Sequence, residues 1–413
     1  MPATQSALTD DFTPATPAEL SRFVEENATG PRQILFPAGG RTSLHYGYPA
    51  QAEGRIVSTA QLTQVIDYPA RDMTITVEAG IRVEQLTEVL KAERQQLPID
   101  IAQAHRATLG GAVVTNTSGP RRFGYGTLRD YVIGIAAVDA QGRLFRAGGR
   151  VVKNVAGYDL CKLLVGSLGT LAIITELTLR LKPIPETTAA IWVSFDSYAE
   201  IESTLASLPA VAANPVMLEV LNPRAAEQIS TESKLILPCE QPVLVIGVEG
   251  SSESVRRQRD AVHKHLGQFK PRKIDDVESA NAGLLAGSMT EYQTVSDDPA
   301  TFQANLLPSK VISFVECACQ MGVAVLAHAG NGVVVGHLPD DTVTVGKAAE
   351  MLTPLRAAAR KNGGNLIVLN CQREWKSELP VFGEPEPAWS LMRQLKQTFD
   401  PHDLLNPGRF LPN

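Results

Sequence analysis

Gly166-Ser167-Leu168-Gly169-Thr170-Leu171-Ala172-Ile173-Ile174-Thr175-Glu176 sets a turn punctuated by glycines directly ahead of a β-branched run. Glycine adopts positive φ without steric cost, and a β-branched run after it has the composition of a strand. Within residues 174–181, Ile174, Leu177, Leu179 and Leu181 are apolar, while Glu176, Thr178 and Arg180 are polar. That period of two predicts a half-buried strand.

Moving outward, residues 71–80 read as a strand ending at Gly80, and Leu86, Val89 and Leu90 mark one face of a following helix. Residues 131–138 and 143–146 read as paired strands joined by the turn Asp139-Ala140-Gln141-Gly142. Between these elements lie stretches poor in side chains. Pro37-Ala38-Gly39-Gly40-Arg41-Thr42-Ser43 follows the apolar run Ile34-Leu35-Phe36. Paired glycines at a strand end can aim successive N–H groups at one point, as an anion nest does. Ala107-Thr108-Leu109-Gly110-Gly111-Ala112 and Thr115-Asn116-Thr117-Ser118-Gly119 offer hydroxyls and an amide with almost no bulk. Such backbone makes a poor core and a good surface for a flat ligand approached closely. Gly124-Tyr125-Gly126-Thr127-Leu128-Arg129-Asp130 and Val151-Val152-Lys153-Asn154-Val155-Ala156-Gly157-Tyr158-Asp159-Leu160 complete the set.

Pro183-Ile184-Pro185 cannot continue a ladder and marks a boundary. Beyond it, strands at 191–195, 216–221, 243–248, 323–327, 332–337 and 366–369 alternate with helices at 199–207, 253–266, 312–321 and 347–361. This repeated β-α-β pattern suggests an antiparallel sheet with helices on one face, similar to a ferredoxin-like pair. A helix over 384–399 precedes the tail Asp400-Pro-His-Asp-Leu-Leu-Asn-Pro-Gly-Arg409. No internal repeat is visible in the sequence. The expected fold class is α+β with three parts. The boundaries fall at 1–185, 186–383 and 384–413; the resemblance given below implies that these are a two-subdomain cofactor-binding domain, an α+β cap and a helical segment returning to the first domain.

Composition excludes several classes. The 413 residues are 44% hydrophobic and 20% charged, which suits packed cores. Lys+Arg 38 against Asp+Glu 44 leaves a charge of −6, and aromatics are 6%, so neither nucleic acid nor an anionic membrane has an electrostatic reason to bind. The five cysteines (161, 239, 317, 319, 371) are odd in number and form no CxxC, as in a reduced cytoplasmic protein. Neither a signal peptide nor an apolar run of spanning length is visible, so no direct membrane insertion is expected. Gly124-Tyr125-Gly126 lacks the third glycine of a Rossmann fingerprint, and Gly346-Lys347 lacks the rest of a Walker loop.

The Pro-x-Gly-Gly loop, Ala-Thr-x-Gly-Gly, the Gly-Tyr-Asp-Leu segment and Gly-Thr-Leu-x-Ile-Ile-Thr-Glu stand in an order and at a spacing that resemble the PCMH-type FAD-binding domain of the vanillyl-alcohol-oxidase superfamily. Over nearly the whole chain the likeness is to the FAD-binding subunit of glycolate oxidases, the GlcE-like family. The resemblance implies that Gly39, Gly40, Arg41, Thr42 and Ser43 bind the FAD pyrophosphate. It places Thr108, Gly110 and Gly111 near pyrophosphate and flavin, and Asn116, Ser118 and Gly119 on the flavin-side wall. Ile173 and Ile174 would meet the cofactor through their backbone. Some relatives attach flavin covalently through a histidine directly after the glycine pair; Arg41 stands there, so noncovalent FAD is expected.

Ala327-His328-Ala329-Gly330-Asn331-Gly332 is similar to the His-x-Gly-Asp-Gly-Asn stretch of FAD-linked 2-hydroxyacid dehydrogenases, in which a second histidine follows seven residues on and helps to hold a metal. Here position 335 is Val, Asn331 replaces the acid, and no Glu-His follows near Leu369-Asn370-Cys371-Gln372. A lone histidine cannot supply a metal site, so none is expected, and His328 remains as a candidate general base beside its structural reading. Tyr292, Lys310 and Arg373 are further polar candidates. The resemblance implies an FAD-dependent oxidoreductase subunit acting on a small 2-hydroxy acid with a homologous catalytic flavoprotein subunit and an iron–sulfur subunit. It would be cytoplasmic, peripheral to the inner face of the membrane only through its partners. An autonomous D-2-hydroxyacid dehydrogenase and a non-catalytic FAD scaffold are the alternatives.

Overall fold

The computed structural model describes residues 8–50, 52–149, 158–294 and 298–410. The chain forms two units: residues 1–117, 127–184 and 384–413 make the first, residues 118–126 and 185–383 the second. The sequence element at 151–157 lies outside the described residues.

Among its described residues the first unit holds two main sheets and a short antiparallel pairing of Lys182–Pro183 with Gln95–Gln96. In the smaller main sheet, Gly54–Ser58 lies between Leu8–Phe12 and Ile34–Ala38, all parallel. Pro37 is accommodated because Ile34–Ala38 is an outer strand. The larger sheet has the order Val65–Asp67, Thr74–Glu78, Ala172–Arg180, Val132–Asp139, Leu144–Gly148, each neighbour antiparallel. The strand expected at 174–181 is the centre of this sheet, and its alternation is as read: Leu177 and Leu179 are fully buried and Arg180 is exposed. Helix Pro17–Thr29 starts at Thr16, whose side chain accepts from the Glu19 amide, with Pro17 in the first turn. It buries Leu20 and Val24 against Leu35, Val57, Val138, Ala140, Ile173 and Leu405. One core therefore welds both sheets and the C-terminal tail.

That tail behaves as an added strand. Leu35 N donates to Leu404 O at 2.7 Å and Asn406 N to Leu35 O at 3.0 Å. Asn406 Nδ2 donates to Leu168 O at 2.9 Å, across the glycine turn that opens the central strand. Lys396 binds Thr170 O, Leu405 O, Asp400 and Asp403 at 2.5–3.0 Å. The C-terminal helix spans Trp389–Phe399 rather than starting at 384. Pro385 and Pro387 withdraw amides and disfavour helical geometry in the residues before them.

The second unit is built on one eight-stranded antiparallel sheet, in the order Lys273–Glu278, Thr187–Ser194, Val243–Gly250, Met217–Leu221, Ala324–His328, Val333–His337, Ala300–Asn305, Asn365–Cys371. Its connectivity contains a repeat that the sequence does not show. Strands Thr187–Ser194, Met217–Leu221, Val243–Gly250 and Lys273–Glu278, with helices Tyr198–Ser207 and Ser252–Leu266, form one ferredoxin-like half. Strands Ala300–Asn305, Ala324–His328, Val333–His337 and Asn365–Cys371, with helices Val311–Gln320 and Val345–Lys361, form a second. In both halves the strands lie in the order fourth, first, third, second. The halves join through their second strands.

The expectation of helices on one face alone is corrected. Helices Pro223–Ser233 and Ser279–Glu291 pack with Trp192, Met217, Leu221, Val245, Leu326 and Val335 on one face. Val255 of helix Ser252–Leu266 packs with Ala189 and Val248 on the other. The inner strands are apolar on both sides, residues 243–248 being buried throughout, and such strands need cover on both faces.

Candidate functional site

In the first unit the loop after Ile34–Ala38 meets the segment before helix Leu109–Thr115. Gly40 N and Gly111 N both donate to Thr108 Oγ1, at 3.3 and 3.4 Å. Thr108 caps that helix and is buried. The approach depends on glycine. A Cβ on Gly39 would stand 1.9 Å from Thr108 Oγ1, and one on Gly40 would stand 1.9 Å from Arg106 O. Gly39, Gly40, Thr108 and Gly111 are thus brought together.

Arg41 follows in the left-handed region at φ 58°, a conformation in which non-glycine residues are uncommon. Among the described residues the amides of Arg41, Thr42 and Ser43 donate to no protein acceptor. Successive unengaged amides about a left-handed residue can form a concavity in which anions bind. The Arg41 guanidinium pairs with Asp11. The tail supports this loop from below: the Arg409 guanidinium donates to Leu44 O, and Tyr48 N donates to Arg409 O at 2.9 Å. Burial pulls the Arg409 guanidinium down to about 10.

Gly110 has a different place. Its amide donates to Ala79 O at 2.8 Å, and a Cβ there would meet Ala79 Cβ at 2.8 Å. Glycine at this position lets the helix close on the strand end, and its N–H is engaged within the protein.

At the far end of Leu109–Thr115, Asn116 is left-handed with φ 51°. Gly166 N donates to Val113 O at 3.0 Å and Leu168 N to Val114 O at 2.8 Å, so the Gly166–Gly169 turn lies along this helix. Asn116 Oδ1 and Ser167 Oγ are buried with no partner. Buried polar atoms are normally satisfied, and those that are not call for a ligand or water. Sequence reasoning missed Ser167, although it lies in the turn quoted first. The Ile173 side chain is in the core, and Ile174 is buried opposite Ala137. Ala79 N donates to Thr175 O at 2.8 Å, and among the described residues no strand continues the ladder on that side. The backbone of residues 172–174 runs beyond it.

Two loops packed through glycine, three unused amides and two orphaned polar atoms fit a long, flat dianion. When FAD is bound, Gly39, Gly40, Arg41, Thr42, Ser43, Thr108 and Gly111 would hold its pyrophosphate end, with Asn116 and Ser167 offering polar contacts.

Ser118 and Gly119 belong to the second unit, where they begin a strap over residues 118–126; Ser118 Oγ is buried and unpartnered. The strap is pinned to the sheet. Gly124 N donates to Val216 O at 3.1 Å, Tyr125 Oη to Glu249 at 2.7 Å, and Phe123 lies where a Cβ on Gly330 would be, at 2.2 Å.

His328 closes strand Ala324–His328. Glu219 faces it across the seam between the two ferredoxin-like halves, and His328 Nδ1 lies 2.7 Å from Glu219 Oε2. The side chains are 4% and 0% exposed. Asn331 sits in the turn after His328, its amide donating to His328 O at 3.0 Å and its Oδ1 buried without a partner. A second histidine, His337, is on the same face by register. It pairs with Asp298 at 2.9 Å and stacks edge-on against Tyr292 at 4.3 Å. Burial first, and Asp298 second, drive the Tyr292 phenol far up from its ordinary value. Lys310 and Arg373 are exposed. No group of three or more His, Cys, Asp or Glu among the described residues is arranged to hold a metal.

These features define an FAD-dependent oxidoreductase with a PCMH-type FAD-binding fold. Residues 11–148 match the family model described as FAD binding domain, and residues 382–410 match that of FAD linked oxidases, C-terminal domain. The chain is 28% identical to glycolate oxidase subunit GlcD of Bacillus subtilis over 398 residues, covering 92% of this chain and 84% of that protein. It is 29% identical to D-lactate dehydrogenase of Archaeoglobus fulgidus over 391 residues, covering 91% and 85%. Among solved structures, p-cresol methylhydroxylase with substrate bound superposes with a TM-score of 0.73 at 16% identity, over 97% of this chain and 88% of that one. Alkyldihydroxyacetonephosphate synthase gives 0.67 at 19%, over 96% and 75%. At those identities the superpositions speak to fold.

Proposed function

We propose that the chain oxidises a small 2-hydroxy acid as the FAD-binding subunit of a glycolate-oxidase-type complex, with a homologous catalytic flavoprotein subunit and an iron–sulfur subunit. The observation that carries this is that one unit keeps a glycine-lined cradle while the other has a depleted ligand set. His328 stands without the second histidine and acid that the dehydrogenase motif carries. Relatives named for glycolate and D-lactate oxidation support the substrate class.

FAD, when bound, supplies the two-electron acceptor for oxidation of the alcohol carbon. The chain's own residues do the rest. The amides of residues 41–43 and the dipole of their loop offset pyrophosphate charge. His328, with Nδ1 held by Glu219, takes the substrate hydroxyl proton at Nε2. Noncovalent attachment follows from Arg41 at the position where relatives carry the linking histidine. All five cysteines are free and no helix among the described residues is long and apolar enough to cross a membrane, which supports a cytoplasmic place reached through partners.

The test is an anaerobic one. The purified chain should be yellow, should release its flavin on denaturation, and should be bleached by glycolate or D-lactate when the partner subunits are present. Bleaching by the chain alone favours the autonomous dehydrogenase. A yellow protein reduced under neither condition leaves the scaffold, and a colourless protein that FAD does not reconstitute refutes all three.

A further inference from the structure

We infer that Glu219 is a positioning residue: it fixes His328 as the Nδ1–H tautomer, so that Nε2 is the nitrogen open to accept a proton. This rests on the reading of His328 as proton acceptor given above.

The geometry is built into the fold. Met217–Leu221 and Ala324–His328 are the second strands of the two ferredoxin-like halves, and their ladder consists of Glu219–His328, Val220–Ala327 and Leu221–Leu326. Glu219 and His328 are a directly opposed cross-strand pair, so the 2.7 Å contact follows from register rather than from a chance rotamer. On its other side His328 is opposed by Val333, which offers no hydrogen-bonding group. The carboxylate is therefore the polar group that the neighbouring strands present to the ring. A neutral imidazole has one donor nitrogen and one acceptor nitrogen, and the hydrogen bond made by one sets the role of the other. A carboxylate accepts only, so Nδ1 carries the hydrogen and Nε2 keeps its lone pair. Burial holds both groups in a low-dielectric setting, where the negative carboxylate also stabilises the imidazolium formed after proton transfer. Neither half of the unit could make this pair alone, since Glu219 comes from one and His328 from the other.

In proton terms the step is closed. The substrate hydroxyl proton passes to Nε2, giving an imidazolium still hydrogen-bonded to Glu219, and FAD, when bound, would supply the two-electron acceptor. No further oxidant is required.

The experiment uses the FAD-loaded chain, with partner subunits if turnover needs them. Glu219→Gln keeps the shape but presents an amide that can donate to Nδ1. The expected result is an about 10²-fold lower kcat with KM changed less than about threefold and flavin content unchanged. Nitrogen-15 NMR of labelled histidine, with His328→Asn identifying the signal, should show Nδ1 protonated in the wild type and a shift toward Nε2–H in the variant. If His328→Asn retains full turnover, the assignment of His328 fails and this inference with it. If His328→Asn is inactive but Glu219→Gln keeps wild-type kcat and tautomer, the inference alone is overturned. Should Glu219→Gln not fold, the wild-type spectrum decides, and a resting Nε2–H tautomer rejects the role.

Discussion

Gly40→Ala puts a single methyl group where the structure leaves no room. The new Cβ would lie 1.9 Å from Arg106 O, 2.7 Å from Arg106 C and 3.1 Å from the Ala107 Cα. Ordinary contact begins near 3.4 Å, so the two loops must part by about 1.5 Å. All three neighbours are backbone atoms, and their segment is tied by Ala107 N to Gln103 O and by Val83 N to Ala107 O, at 2.7 and 2.9 Å. Overpacking of this kind costs about 1–3 kcal/mol. Relief would come mostly from the more open partner, the Gly39–Ser43 loop, and would turn its amides away from their common point. Losing two hydrogen bonds to a charged ligand, at about 1.5–3 kcal/mol each, corresponds to a 10²–10⁴-fold weaker Kd at about 1.4 kcal/mol per tenfold. The assay is flavin absorbance of the purified variant, followed by titration of stripped protein with FAD. Gly346→Ala is the control, since its Cβ meets nothing within 4 Å. Wild-type flavin affinity in Gly40→Ala would refute the convergence of these loops on the cofactor.

Other outcomes follow from the same contacts. Gly110→Val should lower the melting temperature along with flavin content, because the branched side chain drives into Ala79 at the helix–strand junction; retained stability with lost flavin would instead put Gly110 in the ligand surface. Lys396→Met strips the cation from Asp400, whose side chain is fully buried, and frees Thr170 O and Leu405 O. Breaking such a pair costs about 3–5 kcal/mol, read as a melting temperature lower by several degrees and easier proteolysis of the tail. Alkaline stability tests the buried thiols. Burial pushes Cys161 and Cys371 up to about 11 from 9.0, so the folded state keeps both protonated while unfolded chains ionise. The stability they confer is complete below about pH 9 and is lost as pH rises toward about 11. Cys161→Ala with Cys371→Ala should flatten the decline in melting temperature between those values, and an unchanged slope would show that other groups govern it.

What could be read from the sequence was whatever depends on local backbone. Glycine pairs at strand ends announce close approach, and the 174–181 alternation announces a half-buried strand, because both constraints act within a few residues. What escaped notice depends on partners far along the chain. Lys273–Glu278 carries four charges in six residues and is a strand only because it is the outer member of its sheet. Helix Ser279–Glu291, rich in Ala, Gly and Ser, has no clear apolar stripe, and helix Pro223–Ser233 is largely polar; both are held by the sheet face they cover. The ferredoxin-like repeat is one of topology, with no shared residue pattern to betray it. The His337 cluster likewise draws on Tyr292, Asp298 and Thr301, which only pairing of Ala300–Asn305 with Val333–His337 brings together.

The seam explains why the histidine motif could be read while its chemistry could not. A free second strand in either ferredoxin-like half would be an open edge, prone to pair with other chains. Joining the two edges removes that hazard, yet the ladder that does so is only three residue pairs long. Its last pair is Glu219 with His328, so the group proposed to move a proton also terminates the contact that fuses the halves. In sequence the two residues are 109 positions apart, and His328 alone looks like the remnant of a metal site. Pairing sets a buried carboxylate against that histidine, which is what the proposed proton-accepting role draws on. Replacing His328 with an apolar residue would remove the 2.7 Å contact to a fully buried carboxylate, at a cost beyond that of an exposed hydrogen bond. Constraint on this pair would thus be twofold, one part from the proposed proton transfer and one from the integrity of the sheet, and the amide substitution at Glu219 is the change that separates them.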